Sequence, residues 1–346
     1  MAFNNVGTFD LGRAASRSAG SANAAAFTMD AVGIASGQAF LTSELEKRDT
    51  IVRTPLTSFT YARDIPIRVG GGWAEFVSAM QVGYGITGGS GDNLMHSGGA
   101  NGIPMVQADF SKGLYKAHMV AAGTRVMWID LQRGNMTGRN IDSLLRDGLR
   151  LTYDKHMDEN TYTGFKRFGT TGLLNNEDVT VTNAASNGAT SASTKFKDKT
   201  PDQILKDIND AILLAWDACE NDNAAIPNHI LMPYEQFNYL ATTKVTNLAE
   251  KTILTFLLEN NVAKQNGSDL VIAATKWCKG AGDAGVDRMV VYRNEERFLA
   301  MDELAPLTRA MTSSNTNDFC FDTAYAGNLS EVEMFYDQTM LYVDGI

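Results

Sequence analysis

The stretch WAEFVSAMQVGYGI (Trp73–Ile86), followed after Thr87 by GGSGDNLMHSGGANG (Gly88–Gly102), decides how this chain is read. Ala74, Phe76, Met80, Val82, Tyr84 and Ile86 fall on one side of a two-residue period, and Glu75, Gln81, Gly83 and Gly85 on the other, which is the signature of a β-strand. The run from Gly88 to Gly102 has almost no core-forming residue and many positions tolerant of positive φ, so it predicts a long loop tip. Extended segments resume around Met105 to Phe110 and Lys116 to Ile129. Together they predict a long two-stranded excursion closed by a glycine-rich tip. A lone hairpin of that length is marginal in water, and its edges need cover, which pairing across subunits supplies.

Working outward, Met1 to Thr50 is rich in Ala, Gly, Ser and Asn, holds no helical or strand period, and predicts an extended arm that gains order only by lying on another surface. After the hairpin, Asn140 is placed as an N-cap before Ile141, Leu144, Leu145, Leu149, Thr152 and His156 at steps of three and four. Asp142 with Arg146, Arg150 with Asp154, and Lys155 with Glu159 have the spacing of surface ion pairs. The helix is expected to run to about Tyr162, a length of roughly 35 Å at 1.5 Å per residue. Gly164, Gly169 and Gly172 end the pattern, and a polar stretch from Val179 to Thr194 begins with strand formers. Thr200-Pro201-Asp202-Gln203 joins an N-cap, a proline at the first helical position and a capping-box Gln, with Ile204, Ile208, Ala211, Ile212 and Ala215 as the apolar face. Beyond it lie predicted strands at His229–Met232, Leu270–Ala273 and Arg288–Tyr292, predicted helices at Tyr234–Leu240 and Leu248–Asn260, and a closing strand-like run from Glu331 to Val343. The whole is a mixed α+β architecture.

The 346 residues are 44% hydrophobic and carry a formal charge of −10. No run of about 18 apolar residues exists to span a bilayer, and the interrupted small-residue run Ser18–Ala26 does not make a secretory signal. Cys219, Cys278 and Cys320 are odd in number and far apart, which predicts neither a disulfide framework nor a metal clip and fits a reducing compartment. Residues 1–173 hold 17 basic and 15 acidic residues, residues 174–346 hold 13 and 25, and twelve of the sixteen arginines lie in the first part. Such asymmetry suits two solvated surfaces of different composition, or a protein with one face toward a polyanion and another toward solvent.

No catalytic, cofactor or metal site is expected. Gly83-Tyr84-Gly85-Ile86-Thr87-Gly88 matches the dinucleotide pattern GxGxxG, but Gly89, Ser90, Gly91 and Asp92 follow where a phosphate-binding helix N-terminus is required. The alternative this leaves is a soluble nucleotide-dependent enzyme using Gly83 to Gly88. His96, His118, His156 and His229 are dispersed, with no HExxH. Glu295 and Glu296 are adjacent and point to opposite sides of a strand. Lys112 and Lys116, on the return leg of the hairpin, read as solubilising charges and not as crosslinking groups. Arg13, Arg17, Arg139, Arg146 and Arg150 are candidates for sequence-independent phosphate contacts.

The order of arm, hairpin, long helix, the segment Phe168-Gly169-Thr170-Thr171-Gly172-Leu173-Leu174-Asn175, capped helix, compact α/β region and closing strand resembles the major capsid proteins of tailed phages, with the Hong Kong 97-type fold. The resemblance implies an N-arm over 1–55 and an E-loop over 70–125. It implies a P-domain from 56–69, 126–223 and 310–346, with its spine helix at about 140–162, and an A-domain over 224–309. Trp73, Phe76, Met80, Tyr84, Met105 and Phe110 then become candidate inter-subunit contacts of the E-loop. The implied function is a shell of pentamers and hexamers closed around double-stranded DNA that is bound without sequence specificity. Scaffolding, portal and decoration proteins are further implied partners, no membrane is involved, and the implied place is a virion capsid assembled in the host bacterial cytoplasm. No long coiled-coil scaffolding segment opens the chain. An encapsulin-like compartment enclosing a cargo enzyme is the nearest alternative with the same fold.

Overall fold

The computed structural model describes residues 55–87, 105–138, 140–188, 192–245 and 251–346. The chain divides into two units, Met1–Thr57 and Ser58–Ile346. The expected arm, with Arg13 and Arg17, lies almost wholly outside the described residues, as do Arg139 and the glycine-rich tip.

Within the second unit the order is α1 (Tyr61–Asp64), β1 (Ile67–Val69), β2 (Phe76–Thr87), β3 (Met105–Met127), α2 (Trp128–Thr137), α3 (Ile141–Thr163) and β4 (Thr180–Asn183). Then come α4 (Pro201–Asp217), β5 (His229–Met232), α5 (Tyr234–Thr242), α6 (Ile253–Glu259), α7 (Val262–Gln265), β6 (Val271–Ala274) and β7 (Arg288–Tyr292). The chain closes with β8 (Leu299–Glu303), β9 (Ala305–Asn315), β10 (Cys320–Ser330), β11 (Val332–Met334) and β12 (Met340–Asp344). The strands form three sheets, ordered β1-β8-β11, β2-β3-β10-β9 and β4-β12-β7-β5-β6.

The five-stranded sheet is the centre of the core. Alternation sends Ile230, Met232, Met289, Val291, Leu341 and Val343 to one face, where Ile204, Ile208 and Ile212 of α4 cover them. Leu231, Val290, Tyr292, Met340 and Tyr342 go to the other face and pack with Tyr162, Leu173 and Leu174. Both faces are buried, which is why these strands read as short continuous apolar runs in the sequence. Helix α4 begins as its sequence predicts: the Thr200 hydroxyl accepts from the Gln203 amide, and the Gln203 side chain accepts from the Thr200 amide.

Helix α3 starts at the expected Asn140 cap, whose side chain accepts from the Ser143 amide. Its anchorage differs from the expected stripe. Burial is concentrated at the C-terminal end, in Met157, Asp158, Asn160, Thr161 and Tyr162, while Leu144, Thr152 and His156 are exposed. The three i,i+4 charge pairs do not close. Asp154 instead receives the Tyr61 hydroxyl, and Glu159 receives Lys166. Exposed pairs of this kind contribute too little to fix two long side chains.

The glycine-rich segment after the helix has a definite task. The last four carbonyls of α3 are all satisfied: Asn160 by the Gly164 amide, Thr161 by Leu173, Tyr162 by Leu174, and Thr163 by the Asn175 side-chain amide. This return needs two close backbone approaches. A Cβ on Gly172 would stand 2.5 Å from the Gly164 nitrogen, and Gly164, at φ +72°, meets the Thr170 carbonyl in the same way. Arg288 then joins the segment to the sheet, donating twice to Asp344 (2.6 and 2.8 Å) and once to the Leu174 carbonyl (2.7 Å).

Other differences from the sequence reading are local. The return strand of the hairpin ends at Met127 and α2 begins at Trp128, where extension to Ile129 is expected. The closing run is broken into β11 and β12 by a turn at Asp337–Thr339. The paired strands β9 and β10 have no counterpart in the sequence reading.

Candidate assembly surface

Strand β3 is 23 residues long and has two partners along its length. From Met105 to Lys116 it pairs with β2, and from Ala117 to Met127 with β10. The Ala117 amide donates to Glu75 on the β2 side, while the Lys116 carbonyl accepts from Glu331 on the β10 side, so the two partners occupy opposite edges. The hairpin half of β3 therefore has β2 on one edge and, among the described residues, no strand on the other. The outer edge of β2 is likewise unpaired among them.

Register sorts the side chains. Residues directly opposite one another share a face, which groups Phe76, Met80, Val82, Tyr84 and Ile86 with Val106, Phe110 and Leu114. All eight are exposed, Met80 at 72%, Tyr84 at 78% and Phe110 at 66%. Ser78, Ala108, Lys112 and Lys116 share that face, and the reverse face carries Val77, Ala79, Gln81, Gly83, Gly85, Gln107, Asp109, Ser111, Gly113 and Tyr115. The ribbon thus turns a largely apolar face, interrupted by Lys112 opposite Met80 and Lys116 opposite Phe76, to solvent in a single subunit. Isolated exposed apolar residues are ordinary, whereas a face of this size marks a contact surface.

Of the six residues singled out as contacts, Phe76, Met80, Tyr84 and Phe110 lie on this face. Met105 is exposed but pairs with Thr87 on the opposite side, and Trp73, 59% exposed, precedes the strand. The register adds Val106 and Leu114, which sequence alternation on one strand alone does not assign. Gly83 and Gly85 sit inside β2, opposite Asp109 and Gln107, and the last glycine of the GxGxxG match lies outside the described residues.

The root of the hairpin is clamped to the segment around β11. The Tyr115 hydroxyl donates to the Met334 carbonyl (2.6 Å), Gln81 to the Phe335 carbonyl (2.8 Å), and the Lys116 amide to the Glu331 carboxylate (3.0 Å). Beneath them Arg68 on β1 binds Asp302 on β8 (2.5 Å) and Glu333 on β11 (2.6 Å). Burial, followed by the neighbouring Asp302 charge, pushes the Glu333 carboxyl up to about 7 despite the guanidinium. Its second oxygen has no hydrogen-bond partner. None of this cluster is visible in the sequence, where Arg68 is more than two hundred residues from both carboxylates. From β1 the chain enters the hairpin through Gly70, Gly71 and Gly72, all at positive φ; a Cβ on Gly71 would stand 2.5 Å from Leu304.

Among the arginine candidates, Arg146 and Arg150 are exposed on successive turns of α3, and the Arg150 charge acts on Asp154. They line a groove with Tyr61, Tyr153 and Tyr325. Among the described residues no group of three or more His, Cys, Asp or Glu is placed to hold a metal ion, and no helix is long and apolar enough to cross a membrane.

The family described as Major capsid protein matches residues 91–346, well over half of the chain. The chain belongs to the major capsid protein family. Comparison with curated proteins finds no match. The capsid of the Myoviridae phage XM1 superposes with a TM-score of 0.71 at 18% identity, over 88% of this chain and 98% of that one. A native GTA particle capsid gives 0.61 at 11% identity, over 94% and 99%. The mature capsid of bacteriophage PhiM1 gives 0.52 at 12% identity, over 87% and 91%. At such identities the likeness carries the fold, which is of the Hong Kong 97 type, and the family match carries the role of a phage shell protein. The encapsulin and nucleotide-enzyme readings find no support in these comparisons.

Proposed function

We propose that this major capsid protein assembles as pentamers and hexamers that close into an icosahedral shell around double-stranded DNA. The observation that supports the reading is the solvent-turned apolar face of the β2–β3 hairpin, which gains burial only against another copy. Fully covering a side chain the size of Phe110 or Met80 is worth about 1.5–3 kcal/mol, so several such contacts per subunit supply a strong drive to associate. In this reading residues 70–125 act as the E-loop and 1–55 as an arm over a neighbour. Residues 224–309 form the A-domain and the remainder the P-domain. Trp73, Phe76, Met80, Tyr84, Met105 and Phe110 meet adjacent subunits.

Arg13, Arg17, Arg139, Arg146 and Arg150 face the genome in this proposal, as phosphate contacts without base reading. Assembly takes place in the host cytoplasm with scaffolding, portal and decoration proteins. Negative-stain electron microscopy of the purified protein, with absorbance at 260 and 280 nm on native particles, tests the proposal. Closed shells or capsomer rings, and nucleic acid in native particles, are expected. Small species only, under conditions where a scaffold is supplied, would overturn it.

A further inference from the structure

A second surface of the subunit is shaped for a ligand. A groove of about 370 Å³ runs between residues 118–121 of β3 and the C-terminal end of α3. Two nearly buried side chains line it, His118 and Asn160, each 5% exposed. Among the described residues the His118 Nε2 and the Asn160 Nδ2 have no hydrogen-bond partner.

The His118 ring is fixed by its neighbours. It is stacked on Phe168 (centroids 4.1 Å apart, planes 12° apart) and tilted against Phe165 at 5.1 Å. Asn160 lies in the last turn of α3, where its backbone carbonyl accepts from the Gly164 amide. A buried polar group left without a partner costs about 1–3 kcal/mol. The Asn160 amide donates, and the His118 Nε2 donates in its Nε2–H tautomer, so the two together match an acceptor that arrives from outside.

The rim gives the sign of that acceptor. Lys166 is neutralised by Glu159 at 2.9 Å. Arg167 has no ion pair among the described residues and lies over the Phe168 ring, and His156, exposed, lines the same groove. Facing His118 from the strand side are Glu331, which favours its charged form, and Lys116, which opposes it. Burial outweighs both and holds the imidazole below its ordinary pKa, so without a ligand it is neutral. The net rim charge is that of one guanidinium above two buried nitrogens.

We propose that this groove binds a carboxylate, with the Asn160 amide and the His118 Nε2–H donating to its oxygens and Arg167 closing the rim. We further infer that the carboxylate is an acidic side chain of a second copy of this chain. The chain has 40 acidic residues against 30 basic ones, with the excess in residues 174–346. The choice of a second copy rests on the shell reading; the carboxylate site itself does not.

The test uses the full-length protein kept unassembled by dilution, titrated with sodium acetate and separately with inorganic phosphate. The four histidine rings are followed by NMR, with His118→Phe identifying the His118 signal. Acetate should shift that signal and raise its titration midpoint, and Asn160→Leu should weaken acetate binding by about tenfold or more, the loss of one charge-assisted hydrogen bond. An unmoved His118 signal, equal acetate binding in Asn160→Leu, or phosphate binding tighter than acetate would overturn the carboxylate site. The second copy is tested by assembly. Asn160→Leu should raise the concentration threshold for particle formation about tenfold with the subunit's urea midpoint preserved. An unchanged threshold would overturn the source. A wild-type protein that forms no particles defeats the shell reading, while the acetate titration still decides the site.

Discussion

Replacing Phe110 by Ser on the apolar face of the hairpin separates folding from assembly. Phe110 is opposite Val82, and the pair is the middle of the exposed face. Two thirds of the Phe110 surface is open in the subunit, so of the roughly 3 kcal/mol available from burying a phenylalanine, about 2 remain to be gained at a contact. Losing about 2 kcal/mol per subunit contact corresponds to roughly a thirtyfold rise in the concentration needed for association. The same change in the unassembled subunit removes only a cross-strand contact worth about 0.2–1 kcal/mol. Sedimentation velocity over a dilution series gives the threshold, and urea unfolding gives the subunit stability. A Phe110→Ser protein that assembles at the wild-type concentration would refute the assignment of this face to a contact. A drop in urea stability as large as the assembly effect would refute the claim that the face is idle in the subunit.

Three further outcomes follow from the core and the hairpin root. Because the Glu333 carboxyl titrates at about 7 in the fold against an ordinary 4.5, the folded chain holds its proton more tightly than the unfolded one. Stability from this group is therefore highest below pH 4.5 and lost as pH rises through 7, by about 3 kcal/mol in all; Glu333→Gln should flatten the slope of urea stability against pH, and matching slopes would contradict it. Asp344→Ala leaves the buried Arg288 guanidinium without its carboxylate and should cost about 3–5 kcal/mol in urea unfolding, a loss under 1 kcal/mol counting against the pair's role. Gly172→Ala forces a Cβ against the end of α3 and should destabilise by about 1–3 kcal/mol, whereas Gly148→Ala, where nothing lies within 4 Å, should lose none in the same thermal melts.

How far the sequence can be read depends on the range of the physics at each place. Asn140 and Thr200-Pro201-Asp202-Gln203 act over three or four residues, and their helices begin where local chemistry puts them. Alternation from Phe76 to Ile86 likewise marks its strand. Which residues of the second leg share its apolar face is set by register, so alternation along one strand does not place Met105, Val106 or Leu114. The Arg68–Asp302–Glu333 cluster and the His118–Asn160 groove join segments distant in the chain, and no spacing rule reaches them. Helix spacing alone also overstates the charge pairs of α3, because Asp154 has the Tyr61 hydroxyl within reach.

The 23 residues of β3 belong at once to the hairpin and to the sheet shared with β10. The other leg enters through three glycines and has no such continuity. The hairpin is therefore a cantilever with one stiff leg and one slack leg. Load applied by a neighbour near its far end travels down β3 as twist and reaches β10 directly, while Gly70–Gly72 take up the change in path length. In a shell built from such parts, strain at one subunit's edge is felt in the sheet of that subunit before it reaches the five-stranded core, and each copy yields by turning a ribbon instead of by losing its packing.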